Sequence, residues 1–295
     1  MKPFAWSFSS LSNFENCPKQ FYHTRVAKDV ATTQGEAALW GDRVHQYLEA
    51  GLHYAKGNTA EAAKILSGLY NVPEDIVVQH AAIIDGGPDK AFAGYWPYVE
   101  AIMALPHDEV LPEQQFALNR ALAPCDWFAE DVWCRGIVDV LLIRGSRAYA
   151  LDWKTGKRKP DSQQLRLFAL LVFAHYPHVQ ECKTEFVWLK TGERDDAVYR
   201  REQEAEMWQP FLPSLARYNA AFKQEMWAPR KSGLCRGWCP VTSCEFWSPK
   251  KYPRQESPAG FKPSQDGERK AVKPRPTVQM RTCRCQGTSR RRRIL

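Results

Sequence analysis

Two aspartates and a lysine interrupt an apolar stretch, GIVDVLLIRGSRAYALDWK, at Asp139, Asp152 and Lys154. Burying an unpaired carboxylate costs on the order of several kcal/mol, so three charges in such a run need a reason. The stretch reads as two strands joined by Gly145-Ser146, a two-residue hairpin turn. That turn pairs Arg144 with Arg147, and the same register sets Asp139 directly opposite Asp152, with Cβ atoms about 4.5–5.5 Å apart. The pleat puts Lys154 on the face of Asp152 and turns Trp153 to the other. Two facing carboxylates in an apolar sheet repel, and one is forced to keep its proton. A divalent cation between them removes the conflict. Hard oxygen donors suit magnesium or manganese, and a lysine beside the cation can hold a phosphate oxygen or stabilise developing negative charge. The alternative is a salt-bridged surface hairpin with Asp152 paired to Lys154 or Arg135. The apolar neighbours count against it. Val138, Val140 and Leu142 fall on one face and Ile137, Leu141 and Ala150 on the other, the pattern of a sheet covered on both sides.

These residues need a scaffold, and the spacing supplies one. The first half is helical. SFSSLSNFENCPKQFYHTR carries Leu11, Phe14, Cys17 and Phe21 at helical intervals, and GEAALWGDRVHQYLEAGLHYA (35–55) carries Val44, Leu48 and Leu52. Shorter helices are expected over 59–70, 74–84 and 89–104. From Pro112 the pattern changes to strands: EQQFALNR, VWCRGIVDVLLI, RAYALDWK and KTEFVWLK. A helix, DSQQLRLFALLVFAHYP, capped by Asp161 or Ser162, joins the last two, and a long helix is expected over 202–226. Residues 250–295 are rich in Pro, Gly, Ser and basic residues, a composition that cannot bury enough apolar surface to order itself. The expectation is therefore one folded domain over 1–249 and a disordered basic tail over 250–295.

An Asp followed some residues later by Asp-x-Lys resembles the core of the PD-(D/E)XK nuclease superfamily. Further motifs resemble its RecB-like branch, which includes the CRISPR-adaptation nucleases and helicase-linked nuclease domains. GDRVHQYLE resembles the branch's helical His motif and would make His45 a metal ligand. GIVD and DWK resemble the next two motifs, and QQLRLFAL resembles Q-x-x-x-Y, with Gln164 as the Gln and Phe168 in place of the Tyr. Each motif is weak alone; four in the right order over residues 7–247 are strong. The resemblance implies an α/β fold with a PD-(D/E)XK (restriction-endonuclease-like) core, a mixed central sheet flanked by helices and a helical N-terminal region. It also implies a cation held by His45, Asp139, Asp152 and the Trp153 carbonyl, with Lys154 stabilising the transition state and Gln164 orienting the substrate. Glu113 begins a strand at a place where related proteins often carry a Glu.

GLCRGWCPVTSCEFW sets Cys235, Cys239 and Cys244 as C-x3-C-x4-C. Three thiolates need a fourth ligand for a structural zinc or an iron–sulfur cluster. Some RecB-like nucleases hold a [4Fe-4S] cluster by one upstream cysteine and three near the C-terminal end, and Cys17 occupies the matching upstream position. The usual triplet is C-x2-C-x5-C; here the inner cysteine is shifted by one, which keeps Zn2+ as an alternative occupant.

The chain has 295 residues and a net charge of +8. The excess is local: residues 250–295 hold 14 Lys/Arg against 3 Asp/Glu, while residues 1–249 hold 27 against 30. An odd count of nine cysteines argues against a disulfide framework. No apolar run reaches the roughly 18 residues that span a bilayer, and MKPFAWSFSS lacks the features of a signal peptide, so a cytoplasmic protein with no membrane partner is expected. The function expected is a metal-dependent DNA nuclease, by family analogy an exonuclease acting on ends or single strands in recombination or repair, with a recombinase or helicase as a possible partner. The other reading is a non-catalytic nucleic-acid-binding protein whose cysteine site holds the fold and whose arginine tail clamps phosphates.

Overall fold

The computed structural model describes residue 1 and residues 3–249 except 33, 73–82, 88, 89, 160 and 161. The 250–295 tail, Asp161 and most of the helix expected over 74–84 lie outside the described residues.

Ser7 starts helix α1 (Phe8–Asn16) with a capping box: its hydroxyl accepts from the Ser10 amide, and the Ser10 hydroxyl accepts from the Ser7 amide. The continuous helix expected onward from here is broken at Cys17, which is extended. The residue before a proline is driven out of the helical region, and Pro18 opens the short helix α2 (Pro18–Phe21), which runs into a π-helical turn, Tyr22–Val26. Helices α3 (Glu36–Ala55), α4 (Thr59–Tyr70) and α5 (Trp96–Met103) follow.

The sheet is mixed, in the order β1-β2-β3-β4-β5. Its strands are β1 (Glu109–Asn119), β2 (Val132–Arg144), β3 (Arg147–Lys154), β4 (Glu181–Trp188) and β5 (Glu193–Arg200). All neighbours are antiparallel except β3 and β4, which are parallel and joined by helix α6 (Ser162–His175). Strand β1 begins before Pro112, and the proline is tolerated inside it because β1 is an edge strand. The charged edge strand β5 was not expected. The long helix expected over 202–226 is instead two helices, α7 (Glu204–Trp208) and α8 (Leu212–Gln224), separated by a 3-10 turn that contains Pro210.

Two cores cover the two faces of the sheet. One packs α1, α6, α7 and α8 against it; the other packs α3, α4 and α5. On β3 the faces alternate regularly: Ala148 and Ala150 face the first core, Leu151 and Trp153 the second. On β2 the alternation slips. Val138 joins the first core together with Leu141, while Val140 and Leu142 join the second, so Val138 and Val140 do not share a face as expected. The slip falls at Asp139. Strand β1 slips beside it at Glu113, which has a positive φ of 46°. Among the described residues no helix is long and apolar enough to cross a membrane.

Candidate active site

The hairpin turn is the expected one. Gly145 has φ 53°, the left-handed backbone that glycine adopts without strain, and the ladder pairs Arg144 with Arg147 and continues to Val140 opposite Leu151. There it stops. Asp139 and Asp152 come next in register, but they are not a ladder pair: the Trp153 amide donates to Asp139 Oδ2 at 2.7 Å. Below this fork the free edge of β2 is taken by the N-terminal segment, where the Trp6 amide donates to the Trp133 carbonyl and the Arg135 amide to the Trp6 carbonyl. The fork in β2 is the site.

Three elements close on it. Helix α3 approaches the end of β3 so closely that a Cβ at Gly41 would sit 2.8 Å from Thr155 Oγ1. One turn on, His45 Nδ1 lies 3.3 Å from Asp139 Oδ2. From β1, the left-handed Glu113 brings its carboxylate alongside, and ligand atoms of His45, Glu113 and Asp139 all lie within 4.8 Å of one another. A non-glycine residue in this backbone region within a strand is a strained conformation of the kind that gathers at functional sites.

Asp152 is held on the other side of the fork. Lys154 Nζ lies 2.5 Å from Asp152 Oδ2 as an ion pair. Oδ2 is nevertheless fully buried and receives no well-directed hydrogen bond. Gln164, in the first turn of α6, bridges the pair: its amide nitrogen donates to Asp152 Oδ1 at 3.3 Å and its carbonyl accepts from Lys154 at 3.2 Å. The Lys154 ammonium also sits 4.7 Å from the centre of the Phe186 ring. Trp153 enters the site through its backbone; its indole is buried on the opposite face, edge-on to Tyr98. Phe168 is buried in the first core, packed as a ring where the motif's usual residue carries a hydroxyl.

The electrostatics are those of crowded acids. Burial alone would hold His45 neutral, but the hydrogen bond and charge of Asp139, with Asp152 and Glu113 behind it, outweigh burial and push its imidazole up to about 9. Burial raises Glu113, and the like charges of Asp139 and Glu49 raise it further. Burial and then Asp139 raise Asp152, against the opposing pull of Lys154. Asp139 and Asp152 are both buried. One lysine and one histidine do not compensate this much negative charge, and cation binding would.

This geometry accompanies a family match: the family model of the PD-(D/E)XK nuclease superfamily matches residues 5–244. The chain belongs to the PD-(D/E)XK nuclease superfamily. Its mixed five-stranded sheet with flanking helices is that fold, and membership implies a hydrolytic nuclease working with magnesium or manganese on acidic residues. Among curated proteins none matches the chain. A crystal structure of SSO0001 aligns over 83% of this chain and 87% of that one, at 11% identity and a TM-score of 0.30.

Relative to the sequence expectation, the structure of this PD-(D/E)XK protein brings His45, Asp139, Asp152, Lys154 and Gln164 to one place but divides them. The tight group is His45, Asp139 and Glu113, whereas Asp152 is turned toward Lys154 and Gln164. Glu113 is the residue the motifs underweighted, since its approach depends on a backbone distortion that no residue type announces.

The four cysteines, Cys17, Cys235, Cys239 and Cys244, line one small pocket with Arg230 and Trp247 without closing into a ligand cluster. Cys17 Sγ accepts from the Arg230 amide and Cys235 Sγ from the Ser232 amide, each at 3.4 Å. Burial raises the Cys239 thiol, and the other three cysteines add to it. No three of these sulfurs lie within 4.8 Å of one another. Cys134 and Cys182 are buried elsewhere, their thiols raised by burial, and Cys125 stands apart.

Proposed function

We propose that the protein is a magnesium- or manganese-dependent deoxyribonuclease, acting as an exonuclease on DNA ends or single strands in recombination or repair. The observation that carries this reading is the fork, where the buried carboxylates of Asp139 and Asp152 crowd together and His45 and Glu113 close on Asp139. The donor set is hard oxygen with one imidazole nitrogen, which fits a divalent cation of this class. His45, Asp139, Asp152 and the Trp153 carbonyl, joined by Glu113, would hold it. A cation there supplies Lewis-acid polarisation of the phosphoryl group and lowers the pKa of a water. The chain's own residues do the rest. Lys154 faces the phosphoryl oxygens and stabilises the negative charge that develops on them. Gln164 fixes the Lys154 ammonium and the Asp152 carboxylate relative to one another, so both are oriented before substrate arrives. The Trp153 amide keeps Asp139 pointed into the fork.

For Cys17, Cys235, Cys239 and Cys244 the reading is a structural [4Fe-4S] cluster. Amide donors on two of the sulfurs suit thiolate ligands. Zn2+, which takes four thiolates in a tetrahedron, is the alternative occupant. Such a site ties the segment around Cys17 to the 235–244 loop.

One preparation tests both sites. Protein purified anaerobically is expected to be brown, to contain iron and acid-labile sulfide, and to degrade linear DNA with magnesium or manganese. A colourless zinc protein would remove the cluster; a fully folded protein inert on every DNA with either metal would remove the nuclease.

A further inference from the structure

A groove of about 680 Å³ opens beside Gln164, on the face of the fork away from α3. Arg25, in the π-helical turn, and Lys28, just after it, line it together with Trp127 and Arg135. No carboxylate lines it, although residues 1–249 as a whole carry slightly more acids than bases. Arg135 Nε is buried and has no hydrogen-bond partner. Its guanidinium lies 5.2 Å from the centre of the Trp127 ring and 5.7 Å from that of Phe128. Phe128 itself is 86% exposed, on the connection between β1 and β2.

Phe128 belongs to neither core, and its ring lies against Arg135 next to a groove lined by no carboxylate. The pairing matches a strand with flat faces and regular negative charge. We propose that this groove takes a single-stranded segment of DNA leading to the fork, with bases stacked on Phe128 and Trp127 and phosphates held by Arg25, Lys28 and Arg135. Stacked aromatics with flanking cations bind unpaired bases whatever their sequence. A duplex hides its base faces, so it gains the charge contacts but not the stacking. The inference rests on the nuclease reading for where the strand leads, since Gln164 belongs to both the groove and the Asp152–Lys154 pair. The binding itself needs no cleavage.

The test is fluorescence anisotropy on the full-length protein in EDTA, with a labelled oligo(dT) of about 12 nucleotides, within the usual site size of such grooves, and a blunt hairpin duplex. Phe128→Ala is expected to weaken oligo(dT) binding roughly 5- to 100-fold and to leave the duplex within about 2-fold. Because Phe128 is exposed, the variant keeps its fold, which its melting curve checks. Arg25→Gln is expected to reduce the salt slope on oligo(dT) by about 0.7, the share of one phosphate contact on a single strand. Unchanged oligo(dT) affinity in Phe128→Ala, or equal losses on both ligands, overturns the proposal. The nuclease reading fails separately: a selective loss in Phe128→Ala together with wild-type protein that cuts no DNA with manganese keeps the groove and loses the enzyme.

Discussion

Asp152 and Glu185 sit on the adjacent parallel strands β3 and β4, both buried. Burial is the first cause that raises each of them. They part at the second. Behind Glu185 the next influence is Arg194, whose charge opposes burial and whose guanidinium lies 3.3 Å away, and the Tyr149 hydroxyl donates to the same carboxylate. Behind Asp152 the next influence is Asp139, another acid, and Lys154 comes only after it. One buried carboxylate is satisfied by the protein; the other is crowded by a second. Both have partners, but only Asp152 has a second acid pressed against it as its next influence, and a buried acid crowded by another marks a group kept for something besides the fold.

Exchanging each acid for alanine separates the two cases. Asp152→Ala is expected to lower nuclease activity on linear DNA by roughly 10³-fold or more, since it removes several kcal/mol of charge organisation at the reacting centre. Its melting temperature should hold or rise, because a repelling buried charge is gone. Glu185→Ala is expected to do the reverse. Losing the acceptor of the Tyr149 hydroxyl and the partner of Arg194 should cost about 1–3 kcal/mol of stability, read by urea unfolding, with activity intact well below the transition. An active Asp152→Ala, or one that unfolds as readily as Glu185→Ala, would make both acids structural.

What was legible in the sequence was local. The Gly145-Ser146 turn, the register from Arg144 to Val140 and the ends of β3 and α4 follow from residues close together in the chain. What was not legible depends on partners far away. Asp139 leaves the ladder because the Trp153 amide captures it and because Trp6 occupies the other half of the β2 edge. Strand β5 escaped notice because ERDDAVYR is charged, and it holds its place through β4 and through Arg158, which pairs with Glu193 and Asp195. Resemblance supplied His45 and the grouping of Cys17 with the later cysteines; neither has a period or spacing that composition alone would single out.

Glu113 sharpens the comparison from the third side. If the fork is built for a cation, the strained residue beside Asp139 should contribute to holding it, as the carboxylates at Glu185 and Asp196 should not. Glu113→Gln keeps the size and removes the charge. It is expected to weaken the activating manganese concentration by roughly 10- to 100-fold, with activity at saturating metal largely recovered. Asp196→Asn, on the exposed edge strand and paired with Lys183 at 3.3 Å, serves as the control and should leave the metal dependence where it was.

Gln164 gives the smallest effect. It touches both Lys154 and Asp152 and neutralises neither, so its removal leaves every charge in the fork in place and alters only how they are aimed. Gln164→Ala is therefore expected to lower kcat by about 10-fold, a loss of orientation rather than of chemistry, with the manganese requirement unchanged. Gln164→Glu is the more searching variant. It keeps the reach toward Lys154 but places an additional acid against Asp152, which burial and Asp139 already raise. A purely structural Gln164 would make both variants alike. A positioning Gln164 predicts that the glutamate is worse than the alanine at low metal and approaches it as manganese is raised, because the added acid makes Asp152 hold its proton until a cation displaces it, while the lost amide donor still leaves Asp152 unaimed.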